Sequence, residues 1–239
     1  MLAILGVPQA EAACDDPPAK GVLWIGCDLS GRDLSGLNLR GAVMMRSNLQ
    51  GANLSGAVLD GVDFTLANLS EARLTEARLV KANFVGAQLQ NADLAGSDLR
   101  EARFDNAAMQ AANLSGASLP GTSFYTTDLT GARLGGVNLR EANLSRAVLD
   151  EVDLSGADLS QARLQRASLE DANLRAAQLA GANLEGASLL YADLRDTDLS
   201  DASLVNARID GTRFEGARLD YTLWVDRKRC RRGSVSTCE

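Results

Sequence analysis

The 239-residue sequence contains no histidine, only four prolines and only 4% aromatic residues. Histidine is the commonest general acid–base and metal-ligating side chain near neutral pH, so its absence removes the simplest route to a catalytic or metal site. The G-x-S-x-G, P-loop, G-x-G-x-x-G and H-E-x-x-H motifs are also absent. No apolar run approaches the roughly 20 residues that a transmembrane helix needs. We therefore expect a protein that is not an enzyme and has neither a cofactor, a metal nor a transmembrane segment.

The sequence has instead a strict period of five. From Leu29 to Leu219 every fifth residue is large and apolar, and 31 of these 39 residues are Leu. A small side chain stands two residues before all but two of them, the exceptions being Arg32 and Leu37, and it is Ala in 27 of the 39 cases. The residue in between is usually Asp, Asn, Arg or Ser, as in Ala52-Asn53-Leu54. Fixed-period self-similarity of this kind indicates a repeat architecture.

A period of five suits neither regular element of secondary structure. On an α-helix successive repeats would be rotated by about 140°, so the leucines would form no common face. On a straight strand an odd period would send alternate leucines to opposite faces. The leucines can share one core only if the chain turns once per repeat, with the central residue and the preceding small residue pointing inward. Glycine is frequent two residues after the central position, as at Gly31 and Gly51, where it eases the turn.

The aromatic residues indicate how many sides make one coil. Two Trp, one Met and four Phe occupy positions that differ by multiples of 20 residues, namely Trp24, Met44, Phe64, Phe84, Phe104, Phe124 and Trp224. With one side per five residues, this spacing predicts four sides per coil, about ten coils, and a phenylalanine stack along one side. At a strand spacing of about 4.8 Å, the rod would be about 48 Å long.

On these residues the sequence resembles the pentapeptide-repeat proteins over residues 29–224. The resemblance implies an all-β fold, the right-handed quadrilateral β-helix, with Leu or Phe at the central inward position. We expect residues 13–28 to form an N-terminal cap and residues 225–239 a C-terminal cap or tail. The resemblance says little about function, because one fold supports many functions.

All four cysteines lie at the ends of the array, namely Cys14 and Cys27 before it and Cys230 and Cys238 after it. A solenoid exposes its core and unpaired strand edges at both ends, and these ends must be capped. The even number and paired placement predict the disulfides Cys14–Cys27 and Cys230–Cys238. Crossed pairing would require both ends of a rod of about 48 Å to meet. The alternative is four reduced thiols in a cytosolic protein.

Residues 1–12 combine a short apolar run with an Ala10-Glu11-Ala12 segment, which is typical of the rear part of a secretory signal peptide. The basic region that opens such peptides is missing, and the alternative is an apolar strand folded onto the N-terminal cap. The flanks also resemble the exported bacterial branch of the family, through C-x-x-P-P-x-x-G-V-x-W-x-G-C from Cys14 and W-x5-C-x-x-G-S-x-x-x-C from Trp224. The resemblance and the cysteines predict a periplasmic or secreted protein, with a cytoplasmic one as the alternative.

The charge distribution bears on a second family function. Residues 1–226 carry 19 basic and 30 acidic side chains, a net charge of −11, and a basic tail follows from Arg227 to Arg232. Some cytoplasmic members of the family bind DNA gyrase as mimics of duplex DNA. The rod would carry one net charge per about 4 Å of its length, whereas B-DNA carries one charge per about 1.7 Å of its axis. Arginines interleave with the acids, and the C-terminal dimerising helix of gyrase-directed members is missing. Gyrase binding is therefore the alternative function, and direct nucleic-acid binding is not expected.

A candidate surface for a protein partner consists of outward apolar residues in the first half of the array. Several share one column at a spacing of twenty, and the set is Val43, Met45, Leu66, Val85 and Tyr125. β-Branched and aromatic residues are also ordinary on sheet surfaces, so this patch is a hypothesis. We expect an exported structural or interaction scaffold with an unidentified protein partner, present as a monomer or a weak homodimer.

Overall fold

The computed structural model describes residues 14–238, which form a right-handed quadrilateral β-helix. Parallel bridges join each ladder residue to the residue twenty positions later, from Leu23–Val43 to Ser203–Leu223. This constant offset confirms four sides per coil and about ten coils. Each side contributes a single bridge residue to its ladder rather than a longer strand. Residues 14–238 contain no helix that is long and apolar enough to cross a membrane.

Four faces, named here A to D, are defined by their central inward residues. Face A runs from Trp24 to Trp224, face B from Leu29 to Ile209, face C from Leu34 to Phe214, and face D from Leu39 to Leu219. Along faces B and C these central residues are at most 3% exposed until the last coil. The five-residue pattern therefore builds one continuous, narrow core that runs the length of the rod.

The four phenylalanines of face A form the predicted stack. Successive ring centroids are 5.1, 4.6 and 5.0 Å apart, with interplanar angles of 21°, 4° and 5°, along Phe64, Phe84, Phe104 and Phe124. The spacing follows the distance between coils, which lies in the range where aromatic pairs attract. The prediction that these four residues share one side of the rod is confirmed.

The polar residue that usually precedes the central position has a local structural function. The side chain of Asp28 accepts a hydrogen bond of 3.1 Å from the backbone N–H of Ser30, two residues later. The same carboxylate accepts a hydrogen bond of 3.1 Å from Asn48 in the next coil. The turn itself needs a left-handed residue, and Gly51 has a φ of 63° while Glu71 has a φ of 60°. Asp and Asn are frequent because they stabilise this turn, and Gly because it adopts a positive φ without strain.

Disulfides close both ends of the described chain. The sulfurs of Cys14 and Cys27 are 2.11 Å apart, and those of Cys230 and Cys238 are 2.17 Å apart. At the N-terminal end, the indole N–H of Trp24 also donates to the carbonyl oxygen of residue 16 at 3.2 Å. The predicted signal-peptide remnant, residues 1–12, lies outside the described residues and stays a prediction.

The C-terminal tail reverses direction and pairs with the last coil. Arg229 forms an antiparallel bridge with Leu223 on face A, and Val235 forms one with Arg218 on face D. Cys230, in the middle of this tail, is only 1% exposed. The tail therefore covers the end of the rod along faces A and D.

Candidate protein-interaction surface

The structure places the candidate partner residues along one side of the rod. Met45, Val85 and Tyr125 occupy the same column where the chain leaves face A, and Leu66 takes the next position in that turn, while Val43 lies on face A itself. Leu66 is 51% exposed and Tyr125 is 37% exposed, and the other three are half-buried. These side chains need little backbone rearrangement to meet a partner.

Leu66 extends across the step between two coils. A Cβ atom added to Gly86 would lie 2.7 Å from the Cδ2 atom of Leu66, so the leucine side chain occupies the space over that glycine. Gly86 has a φ of 65°, which favours glycine at this position. The missing side chain at residue 86 thus lets Leu66 pack down towards the coil that carries Val85.

Two further apolar residues belong to this surface. Ile25 is 40% exposed in the same column as Met45, and Leu23 bridges directly to Val43. The sequence pattern does not identify either residue, because both precede Leu29, where the unbroken period of five begins. Extending the 20-residue spacing by one coil towards the N-terminus identifies both residues. We call the full set the apolar corner, consisting of Leu23, Ile25, Val43, Met45, Leu66 and Val85.

Tyr125 is separated from the apolar corner by a charged residue. Asp105 lies between Val85 and Tyr125 in their column. Its carboxylate accepts a hydrogen bond of 3.3 Å from the backbone N–H of Tyr125 and pairs with Arg103 at 2.9 Å. The apolar surface therefore ends at the coil of Val85, and Tyr125 stands alone beyond it.

A polar groove of about 730 Å³ continues along the same side of the rod. The hydroxyl of Ser145 donates to the amide oxygen of Gln165 at 2.9 Å within it. Neither of its two arginines forms an ion pair with any acidic side chain in residues 14–238. Its lining consists of Ser145, Arg146, Gln165, Arg166, Glu185, Gly186 and Asn206. One side of the rod thus changes from apolar to polar over nine coils, about 43 Å at ~4.8 Å per coil.

Several carboxylates elsewhere on the rod are held in their ionised form by arginines. Asp193 is paired with Arg195 at 2.6 Å and with Arg213 at 2.9 Å, and its side chain is 10% exposed. The hydrogen bond from Arg195 is the main cause that lowers the pKa of Asp193 to about 2. The hydrogen bond from Arg100 likewise lowers the pKa of Asp98. A general acid needs a raised pKa, so these two carboxylates act as structural ion-pair partners.

The comparisons with known proteins place this geometry in a family. The family model for pentapeptide repeats matches eight times, from residues 25–61 to residues 177–216. The crystal structure of HetL, a pentapeptide-repeat protein involved in heterocyst differentiation regulation in the cyanobacterium Nostoc sp. strain PCC 7120, is similar at 28% identity. Its TM-score is 0.57, over 86% of this chain and 92% of HetL.

A second similar structure supports the fold alone. It is a trypsin-treated form of QnrB1, a plasmid-mediated fluoroquinolone resistance protein, with 22% identity and a TM-score of 0.51. The match covers 82% of this chain and 91% of that one. A search of curated protein sequences gave no significant match. Because the matched repeats together span residues 25–216, well over half of its length, the chain belongs to the pentapeptide-repeat family.

Proposed function

We propose that this protein is an exported, non-enzymatic scaffold that binds another protein through the apolar corner. Proteins of the pentapeptide-repeat family are generally scaffolds without catalytic activity. The observation that carries the proposal is the exposure of Ile25 at 40% and Leu66 at 51%, with four further apolar residues on the same side of the rod. Exposed apolar residues that are grouped on one side mark interaction sites more often than scattered single residues do.

Export is supported by the two sulfur–sulfur contacts at the ends of the rod. Disulfides persist in oxidising compartments and are rare in the cytosol, so we infer a periplasmic or secreted location. The test is alkylation of free thiols in intact cells that express the full chain, followed by fractionation. We expect unlabelled protein in the periplasm or medium. Labelled protein in the cytosolic fraction would contradict the inferred location.

Site-specific photo-crosslinking tests the apolar corner as the binding surface. A photo-reactive residue in place of Leu66 should capture one defined partner, and the Ile25→Asp substitution in the same chain should abolish this capture. The matched control carries the photo-reactive residue in place of Tyr191, which is 65% exposed and outside the apolar corner. Equal capture from both positions, or capture that survives Ile25→Asp, would refute the proposal.

Gyrase binding by DNA mimicry is the second candidate, favoured by the acidic distal half of the rod. Residues 101–226 carry 11 basic and 19 acidic side chains, a net charge of −8. Against it, acids such as Asp193 are already paired with arginines on the same faces. We expect the full chain at micromolar concentration to leave gyrase supercoiling unchanged. Inhibition that disappears when Asp193, Asp196, Asp198 and Asp201 are neutralised to Asn would place DNA mimicry first.

A further inference from the structure

Up to residue 238, where the described chain ends, the tail covers two of the four sides at the C-terminal end. It pairs with face A at Leu223 and with face D at Arg218. Its last contact along the coil edge is a hydrogen bond of 2.9 Å from the backbone N–H of Gly216 to the hydroxyl of Ser236. Within residues 14–238, Arg208 on face B and Arg213 on face C bridge to the preceding coil and to nothing beyond. The outer edges of faces B and C are therefore open.

This open edge exposes hydrogen-bonding groups and core side chains together. One coil earlier, the backbone N–H groups of Leu189 and Leu194 each donate to the following coil at 2.8 Å. The equivalent N–H groups of Ile209 and Phe214 have no acceptor within the described chain. Both side chains are also partly exposed, although the earlier central residues of these faces are buried. Phe214 remains packed on Trp224, with ring centroids 5.4 Å apart.

We propose that this open edge binds an extended acidic segment of another protein, which adds an antiparallel strand to faces B and C. The tail of this chain already shows the required geometry on face A. There the N–H of Trp224 donates to the carbonyl oxygen of Lys228 at 2.7 Å, and the N–H of Cys230 donates to that of Thr222 at 2.9 Å. Such main-chain pairing is the general basis of β-strand addition at a sheet edge.

The same geometry on the open edge determines which side chains would meet. The central bridge of the tail joins Arg229 to Leu223, the residue before the inward one. On faces B and C the corresponding residues are Arg208 and Arg213, so each would lie opposite a side chain of the added strand. Their neighbours in the strand would cover Ile209 and Phe214. An acidic residue opposite an arginine stabilises a strand pair, whereas a basic residue there destabilises it.

Charge also distinguishes this occupant from a second copy of the chain. The tail, residues 217–238, carries six basic and two acidic side chains, a net charge of +4, whereas the open edge itself, residues 207–216, carries two of each, with Arg208 and Arg213 at the bridging positions. If two copies joined their open edges in the same antiparallel register, Arg208 would face Arg208 or Arg213 of the other copy, and like charges would repel. Arg213 already contacts Asp193 at 2.9 Å, and Arg208 lies 3.9 Å from Glu170. A guanidinium has five N–H donors, so each arginine can bind a second carboxylate.

A pair of capped peptides tests this proposal on the full-length, disulfide-bonded protein. The acidic probe contains two Asp residues six positions apart, which is the separation of the bridged tail residues Arg229 and Val235. Leu flanks each Asp on both sides, and a Ser-Gly-Gly turn joins the two segments. The control peptide has Lys in place of both Asp. We expect the acidic probe to bind at least about tenfold more tightly at low salt, with a smaller difference at high salt because screening weakens exposed charge pairs.

Backbone NMR then shows where the acidic probe binds. Hydrogen exchange at the amides of Ile209 and Phe214 should slow on addition of the probe, while exchange at Leu134, inside the array, should not change. The Arg208→Gln/Arg213→Gln variant should lose the preference for the acidic probe. The matched control is Arg133→Gln, because Arg133 lies in the column of Arg213 but is bridged to Asp153 in the next coil.

Three results would overturn the proposal. Equal binding of the acidic and basic peptides would remove the selection by charge. Probe binding without protection of the Ile209 and Phe214 amides would place the site elsewhere. Protection of these amides in the free protein, together with a dimer mass in light scattering, would identify a second copy as the occupant. The two peptides are compared on the unmodified protein, so the test stands even if the double-glutamine variant folds poorly.

Discussion

Phe104 offers the sharpest test of how the aromatic stack stabilises the rod. Its ring lies 4.6 Å from that of Phe84 and 5.0 Å from that of Phe124, nearly parallel to both, and the side chain is fully buried. Phe104→Ala leaves a cavity and removes both ring contacts. Phe104→Leu removes the ring contacts but keeps most of the volume, and leucine already occupies this column from Leu144 to Leu204.

The two substitutions should lower the free energy of unfolding by different amounts. Replacing a buried Phe with Ala destabilises a core by about 3–5 kcal/mol, and each aromatic contact contributes about 0.5–1.5 kcal/mol of interaction beyond area burial. We expect Phe104→Ala to cost about 4 kcal/mol and Phe104→Leu about 1–3 kcal/mol, because Leu loses both ring contacts but leaves the smaller cavity. A control without aromatic neighbours in its column is Leu164→Ala, which lies between Leu144 and Leu184 and should cost about 2–5 kcal/mol.

Urea unfolding followed by far-ultraviolet circular dichroism measures these differences, with the slope of the transition compared among the variants. A repeat array can unfold in segments, so a changed slope would signal that one part of the rod has lost its cooperativity with the rest. If Phe104→Leu proved as destabilising as Phe104→Ala, the reasoning from cavity volume would be refuted. If Phe104→Leu proved neutral, the stacked rings would contribute nothing beyond their volume.

Three further predictions concern turns, charge and the caps. Gly56→Ala should lower the free energy of unfolding, measured with urea, by about 1 kcal/mol, because a φ of 63° strains alanine even though nothing lies within 4 Å of the added Cβ. The comparison is Ala111, which is already an alanine with a positive φ. Arg195 holds the pKa of Asp193 at about 2, below about 3.9 in the unfolded chain, so this carboxylate stabilises the fold fully above pH ~4, and the stabilisation is lost as the pH falls through about 2. The variant Asp193→Asn should therefore show a weaker acid dependence of unfolding in that window, and an unchanged profile would contradict the ion-pair argument. A thiol probe should label none of the four cysteines in non-reduced protein from an oxidising compartment, and peptide mapping that joined Cys14 to Cys230 would overturn the model of two separate caps.

The architecture was predictable because the repeat leaves the chain few choices. A large apolar residue at every fifth position can be buried only if the backbone turns once per repeat, and the register of twenty from Phe64 to Phe124 then determines the number of sides. The alternation of Asp or Asn before the central residue and Gly after it follows from the same turn, as the hydrogen bond from Ser30 to Asp28 shows. These interactions are local and repeat along the chain, so they can be predicted from short stretches of sequence.

The candidate surface was predictable only in part. The 20-residue spacing relates Met45, Val85 and Tyr125 to one column, whereas the apolar corner begins earlier, at Leu23 and Ile25, and stops before Asp105. How far Leu66 reaches depends on the empty space over Gly86, which is a contact between coils.

The five-residue period specifies the four-sided rod and its core, because local turn chemistry enforces this period along the chain. How the rod ends depends instead on contacts between the tail and the last coil, which no repeat specifies. The basic tail has no repeat, so its pairing depends on how Cys230 and Cys238 pack against the last coil, and that packing covers faces A and D. The open edge at Ile209 and Phe214 follows from this arrangement, because a tail that turns back over two sides leaves the backbone groups of the other two exposed.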